Sequence, residues 1–390
     1  MSDVKDDSTV SRIITAGNGR PLSSSRRKFL AHSGMYGAGL VGSALLGACS
    51  NGDDNVATAA NNCPDNAVII DGPGDQAVLN FALNLEYLEA EFYLRAVTGS
   101  GLKDGDIDGT GNAGSVTGGT QVDFSGENLI KRYAAEIAKD ELDHVQFLRT
   151  ALGSSGRVAR PQINLVTSFT AAARAALGTA GITAPDDFTF NPFGSPLAFL
   201  LGAFIFEDVG VSAYKGGAQF IQDRGTLTAA AGLLSVEAYH AGLIRTILTA
   251  RGDETALTVN GQDLSVATVV NAISDARDSL DGSDDLDQGI TGDDFDSVSI
   301  YGSDYDSTNI VPTDNMGLTF SRTPQQVHNI VYLTPMAVGP DMGTVPATSF
   351  FPMGTNGTLT TSGNFADATG SEDDMDDMDS NDMSGDSMAG

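Results

Sequence analysis

The chain has 390 residues, with 51 Asp and Glu against 21 Lys and Arg, for a formal net charge of -30. A surface of that sign repels nucleic acid and anionic lipid and attracts cations, so nucleic acid is not an expected partner. Two cysteines exclude a disulfide-built scaffold, and the length allows one sizeable core with additions.

At the N-terminus, Ser25-Arg26-Arg27-Lys28-Phe29-Leu30 precedes a mildly apolar Gly/Ala/Leu run that ends at Ala48. Paired arginines, a short apolar region and small residues at its end give residues 1–48 the form of a twin-arginine signal peptide. Arg26 and Arg27 would be read by the twin-arginine translocase, and the protein is expected to cross the inner membrane into the periplasm. Leu46-Gly47-Ala48-Cys49 resembles a lipoprotein-processing site, where acylation of Cys49 would tether the protein to the envelope without spanning it. The alternative is a Cys49–Cys63 disulfide. Lipidation is preferred, because the polar stretch between them gives a disulfide little to staple. Residues 49–73 read as a polar linker. No later segment reaches eighteen consecutive apolar residues, so the remainder is expected to be soluble.

The periodicity predicts a first helix from about Asp75 to Val97, with Phe81, Leu85, Leu88 and Phe92 on its buried face. The loop from Gly99 to Ser125 begins like a calcium site at Asp104–Gly109, but Ser115 stands where the bidentate Glu belongs, so a flexible acidic loop is expected. A second helix runs from about Gly126 to Leu152. Residues 153–194 connect it to the third, with a short Ala-rich helix near Ser168–Leu177. The third helix runs from about Pro196 to Phe220, the fourth from about Leu227 to Ala250, and Asp223-Arg224-Gly225 turns the chain between them. Residues 74–252 thus read as one helical bundle. Residues 253–370 are an irregular extension, with a possible fifth helix at Ser265–Leu280 and an Asp/Gly/Ser-rich surface excursion over 281–318. Residues 371–390 hold eight acids and four Met, and are expected to be a disordered acidic tail.

The chemistry lies in four of these helices. Glu141 and His144, three residues apart, present a carboxylate and an imidazole on one helix face; Glu237 and His240 repeat the pattern on another. With ten Glu and four His in the chain, two such pairs are rarely coincidental. Glu86 and Glu207 lie in strongly apolar runs, each followed seven residues later by a tyrosine, Tyr93 and Tyr214. Glu89 competes with Glu86 but lacks that tyrosine and is read as a carboxylate at the rim. The order Glu, Glu-x-x-His, Glu, Glu-x-x-His is that of a dinuclear carboxylate metal site inside a four-helix bundle. Single pairs of this kind are more often ordinary helical neighbours, but four carboxylates set in apolar runs are costly to bury without a cation. Oxygen and imidazole ligands without thiolate suit iron or manganese.

On these residues the chain resembles the ferritin-like superfamily, in particular a bacterial ferritin-like family related to plant desiccation-related proteins. The resemblance implies an all-α fold, a four-helix bundle with a long crossover between its second and third helices. Two metal ions are implied as cofactors, bridged by Glu141 and Glu237, with Glu86 and His144 serving one and Glu207 and His240 the other. Asp140 would orient a ligand histidine from outside, while Val236 fills the matching place in the other half. Tyr93 and Tyr214 would bond the site with their hydroxyls, and His328 has no metal role. Phe320–Val327 and Phe350–Gly357 resemble C-terminal signatures of the same family, expected to form a cap. Two functions fit: oxygen- or peroxide-linked redox or ferrous-iron oxidation in stress protection, or a non-catalytic protein of drying or salt stress with a structural metal. A homo-oligomer is compatible with either, but a closed storage cage is disfavoured by the anchor and the acidic loops.

Overall fold

The computed structural model describes residues 74–363, apart from 283, 293–295 and 342. Arg26, Arg27, Cys49, Cys63, the whole linker and the acidic tail lie outside the described residues. Four long helices make the bundle: α1 (Asp75–Thr98), α2 (Asn128–Gly156), α4 (Pro196–Ala218) and α5 (Arg224–Ala250). A shorter α3 (Thr167–Thr179) lies in the connection between α2 and α4. Beyond the bundle come α6 (Val266–Asp281) and α7 (Pro324–Val331).

Local chemistry explains the boundaries. Gly99 takes a left-handed φ of 77° after α1, and its N–H closes onto Arg95 O, a conformation that a side chain would strain. Ser195 caps α4 through the Ala198 N–H, with Pro196 as the first helical residue. Asp223 ends the turn before α5 by accepting from Thr226 N at 2.8 Å. At Gly153, φ 69° and ψ 172° break helical geometry, so the main body of α2 ends at Leu152.

α1 packs on α2 and α4 on α5. α4 and α5 are long and apolar enough to cross a membrane by length and composition, although no run in either reaches eighteen consecutive apolar residues. In α4 most of that apolar window is buried, with Glu207 and Asp208 at its centre, which is the signature of a core helix. Phe92 makes the hub of an aromatic cluster with Phe169, Phe193, Phe199 and Phe206, which ties α1 and α4 to the crossover helix α3.

The protein is mostly helical and not purely so. Strands β1 (Val116–Thr117) and β2 (Ile163–Asn164) pair in parallel, and β3 (Thr255–Val259) with β4 (Gln262–Ser265) and β5 (Ser297–Ile300) with β6 (Ser303–Asp306) form hairpins. The β3–β4 turn is Asn260-Gly261, both residues with positive φ, a pairing that matches the twist of a two-residue hairpin.

One other expectation needs correction. The loop after α1 is pinned, because Asp108 pairs with Arg149 and with Arg157, which hold its carboxyl below the usual range. In the irregular region after residue 252, the segment expected to cap the bundle packs against it. Phe350 is fully buried and meets Phe169 and Phe206 edge to face, and Asn356 exchanges hydrogen bonds with Asn84 of α1 at 2.8 and 2.9 Å.

Candidate metal centre

Each of the four bundle helices sends side chains inward at the same level. Glu86 from α1, Glu141 and His144 from α2, Glu207 from α4, and Glu237 and His240 from α5 are all buried. Helical spacing explains the pairs: three residues bring Glu141 and His144, or Glu237 and His240, onto one face. Antiparallel packing of α2 against α5 then interleaves them. His144 Nδ1 lies 3.3 Å from Glu237 Oε1, and His240 Nδ1 lies 3.1 Å from Glu141 Oε1.

Ligand atoms gather into two groups able to hold a cation: Glu86, Glu141, His144 and Glu237 in one, and Glu141, Glu207 and His240 in the other. Within each group the atoms lie within 4.8 Å of one another. Glu141 belongs to both, turning Oε1 towards His240 and Oε2 to 3.6 Å from His144 Nδ1. His144 Nδ1 is also 3.2 Å from Glu86 Oε2, and His240 Nδ1 is 3.5 Å from Glu207 Oε2. The two imidazole centroids are 6.3 Å apart. Glu237 falls only in the His144 group, so the two groups are not equivalent.

The chemistry of these atoms fits a cation. Both oxygens of Glu141, both of Glu237, Oε2 of Glu207 and Nδ1 of His240 are buried without a hydrogen-bond partner among the described residues. Each such buried polar atom costs about 1–3 kcal/mol, and more when charged, unless something else satisfies it. Burial raises Glu86 to about 7 against the pull of His144, and raises Glu207 against that of His240. Burial and then Glu141 push Glu237 well above the carboxylate range. Glu141 goes the other way, because the imidazoles of His144 and His240 outweigh its burial and hold it low. Burial would lower both histidines. Glu86 and Glu141 overcome it at His144, and Glu207 and Asp140 at His240, so both are raised. Without an ion the cluster balances its charge with protons, which a cation would displace.

The surrounding shell is tied across the bundle. Tyr93 donates to Glu207 Oε1 and Tyr214 donates to Glu86 Oε1, so each tyrosine serves the glutamate of the other half. That reversal of order is what antiparallel α1 and α4 impose. Asp140 Oδ2 stands 3.3 Å from His240 Nε2, on the outer edge of the ring. Glu89 is buried beside Gly210 and belongs to neither group; a Cβ on Gly210 would come within 2.7 Å of Glu237 Oε2. His328 is buried outside the cluster, bonded to Pro324 O and Thr355 Oγ1. Sequence reading missed Asp208, a second buried acid in the apolar run of α4, whose only early sign was its place next to Glu207.

Residues 74–250 match the family model described as a ferritin-like domain. The desiccation-related protein PCC13-62 of Craterostigma plantagineum is 28% identical over 217 residues, which is 55% of this chain and 65% of that protein, just under two thirds of its length. The ferritin-like catalase Nec2 of Nesocodon mauritianus is 27% identical over 289 residues, 73% of this chain and 84% of the relative.

Proposed function

We propose that the ferritin-like domain holds two iron or manganese ions and uses them in peroxide-linked redox chemistry, converting two molecules of hydrogen peroxide to two of water and one of oxygen. One observation carries this reading: buried carboxylate and imidazole atoms from four helices converge without hydrogen-bond partners, around a glutamate common to two ligand groups. Two such ions, when bound, would accept the pair of electrons that one peroxide gives up and supply that pair to the other. The likeness to a ferritin-like catalase favours peroxide over ferrous iron as the substrate.

The residues have separable roles. Glu141 would bridge, with Glu86, His144 and Glu237 on one ion and Glu207 and His240 on the other. Asp140 would fix the His240 ring so that Nδ1 faces inward. Tyr93 and Tyr214 each occupy one oxygen of a ligand carboxylate, leaving the other for an ion. The closely packed aromatic and aliphatic residues around the cluster would limit water access.

A protein purified from its native envelope without added metal should carry about two ions per chain and evolve oxygen from peroxide. The Glu141→Ala, Glu237→Ala double variant should lose both. Unchanged metal content in that variant would refute the site. Metal without turnover would favour the second reading, a structural site in a stress-associated protein, which the likeness to a desiccation-related protein supports. We also propose export by the twin-arginine route and a lipid anchor on Cys49. Mass spectrometry of envelope-derived protein should find an acylated Cys49 at the N-terminus, and an intact residue 1 would contradict this.

A further inference from the structure

A cleft away from the metal cluster separates the outer side of α4 and α5 from the strap formed by residues 310–322, and it encloses about 190 Å³. Its walls are largely aliphatic, with Val211, Leu234, Leu286 and Ile310 among them. Asp208 lines it as well. Oδ2 of this buried residue accepts from Arg245 and Arg277, each at 2.9 Å, while Oδ1 has no hydrogen-bond partner among the described residues.

We propose that this cleft binds a small neutral hydroxyl compound of phenol size, with its hydroxyl donating to Asp208 Oδ1 and its apolar body against α5 and the strap. Charge decides the class of ligand. Arg245, Arg277 and Arg322 are matched by Asp208, Asp281 and Asp287 in one buried network, so the site is already neutral. An ammonium group would add an unbalanced charge, and an anion would meet the bare oxygen of Asp208. A hydroxyl satisfies that oxygen at no electrostatic cost. Size decides the rest, since a dry cavity of about 150 Å³ accommodates benzene. The site stands independently of the metal reading, because every residue that forms it lies outside the metal cluster.

The test titrates p-cresol, and separately toluene, into the full mature protein with labelled methyl groups. Saturable shifts at Val211, Leu286 and Ile310 are expected for p-cresol, with toluene about tenfold or more weaker, the difference that one hydrogen bond to a charged acceptor makes. Ser235→Phe, on the exposed side of α5 at the cleft, should abolish the p-cresol shifts with helix content unchanged. No saturable shift for p-cresol, or toluene binding as tightly, would overturn the proposal. The toluene comparison needs only the unaltered protein and holds even if the variant fails to fold. Undiminished p-cresol binding by a folded Ser235→Phe would also overturn it.

Discussion

Asp140 and Val236 hold the same place in the two halves, one residue before a glutamate of the cluster. Only Asp140 can accept from an imidazole, and it meets Nε2 of His240, the ring on the opposite helix. The two ligand groups are therefore unequal. Replacing Asp140 with Asn removes the charge behind His240 and keeps the shape. Losses of 10- to 100-fold in metal affinity are typical for such outer partners. A competition titration should find one of two ions weakened by at least about tenfold and the other unchanged; equal weakening of both would show that Asp140 does not act through His240. Glu141, His144, Glu237 and His240 could be read from chain spacing, because three residues along a helix is a local rule, and Glu86 and Glu207 from their apolar runs and the tyrosine seven residues on. The nitrogen that faces inward, the tyrosine crossing and the one-sided position of Glu237 could not, because each depends on how antiparallel helices are shifted against one another.

Among the elements, α7 offers a pH test free of the metal cluster. Thr323 and Gln326 form a reciprocal capping box at its start, with Pro324 as the first helical residue. His328 is fully buried, donates from Nδ1 to Pro324 O and accepts at Nε2 from the Thr355 hydroxyl. Burial lowers it to about 4 from an ordinary 6.5. A histidine lowered on folding stabilises the protein above its unfolded pKa, and that contribution is lost as pH falls through the folded value. Stability should therefore decline between about pH 6.5 and pH 4, by up to about 3 kcal/mol from this group. Denaturant midpoints for the protein and for His328→Gln would show it: the variant should be less stable at neutral pH and should lose part of the slope, while an unchanged slope would count against His328. The long helices were legible because periodicity and caps agree over many residues. The β3–β4 hairpin was missed although Asn260-Gly261 is a strong turn signal, since its short strands lack the alternation that marks longer ones. The C-terminal cap was legible as a motif but not as core, because burial of Phe350 depends on α3 and α4 far away in the chain.

At the scale of the whole molecule, residues matched to the ferritin-like domain and residues beyond it share one interior. Phe350 packs on Phe169 and Phe206, and Arg322 joins Asp281 and Asp287 beside α4. Phe350→Ala should lower global stability by about 3–5 kcal/mol, as large aromatic deletions do, and metal-site helices and cap should melt in one transition. A separate early melting of the cap, followed by an intact bundle, would show the interior to be divided. The paired amides of Asn84 and Asn356 carry this dependence to synthesis. Asn84 is made early, but the backbone groups that satisfy its side chain leave the ribosome only after residue 356 is added. Until then the Asn84 amide keeps its hydrogen bond to Asn80 O within α1 but lacks both bonds to Asn356, so the four helices emerge before this contact of their interior can form. A nascent chain stalled at residue 260 is therefore expected to leave open to water the faces of α1, α3 and α4 that Phe350 and Asn356 later cover.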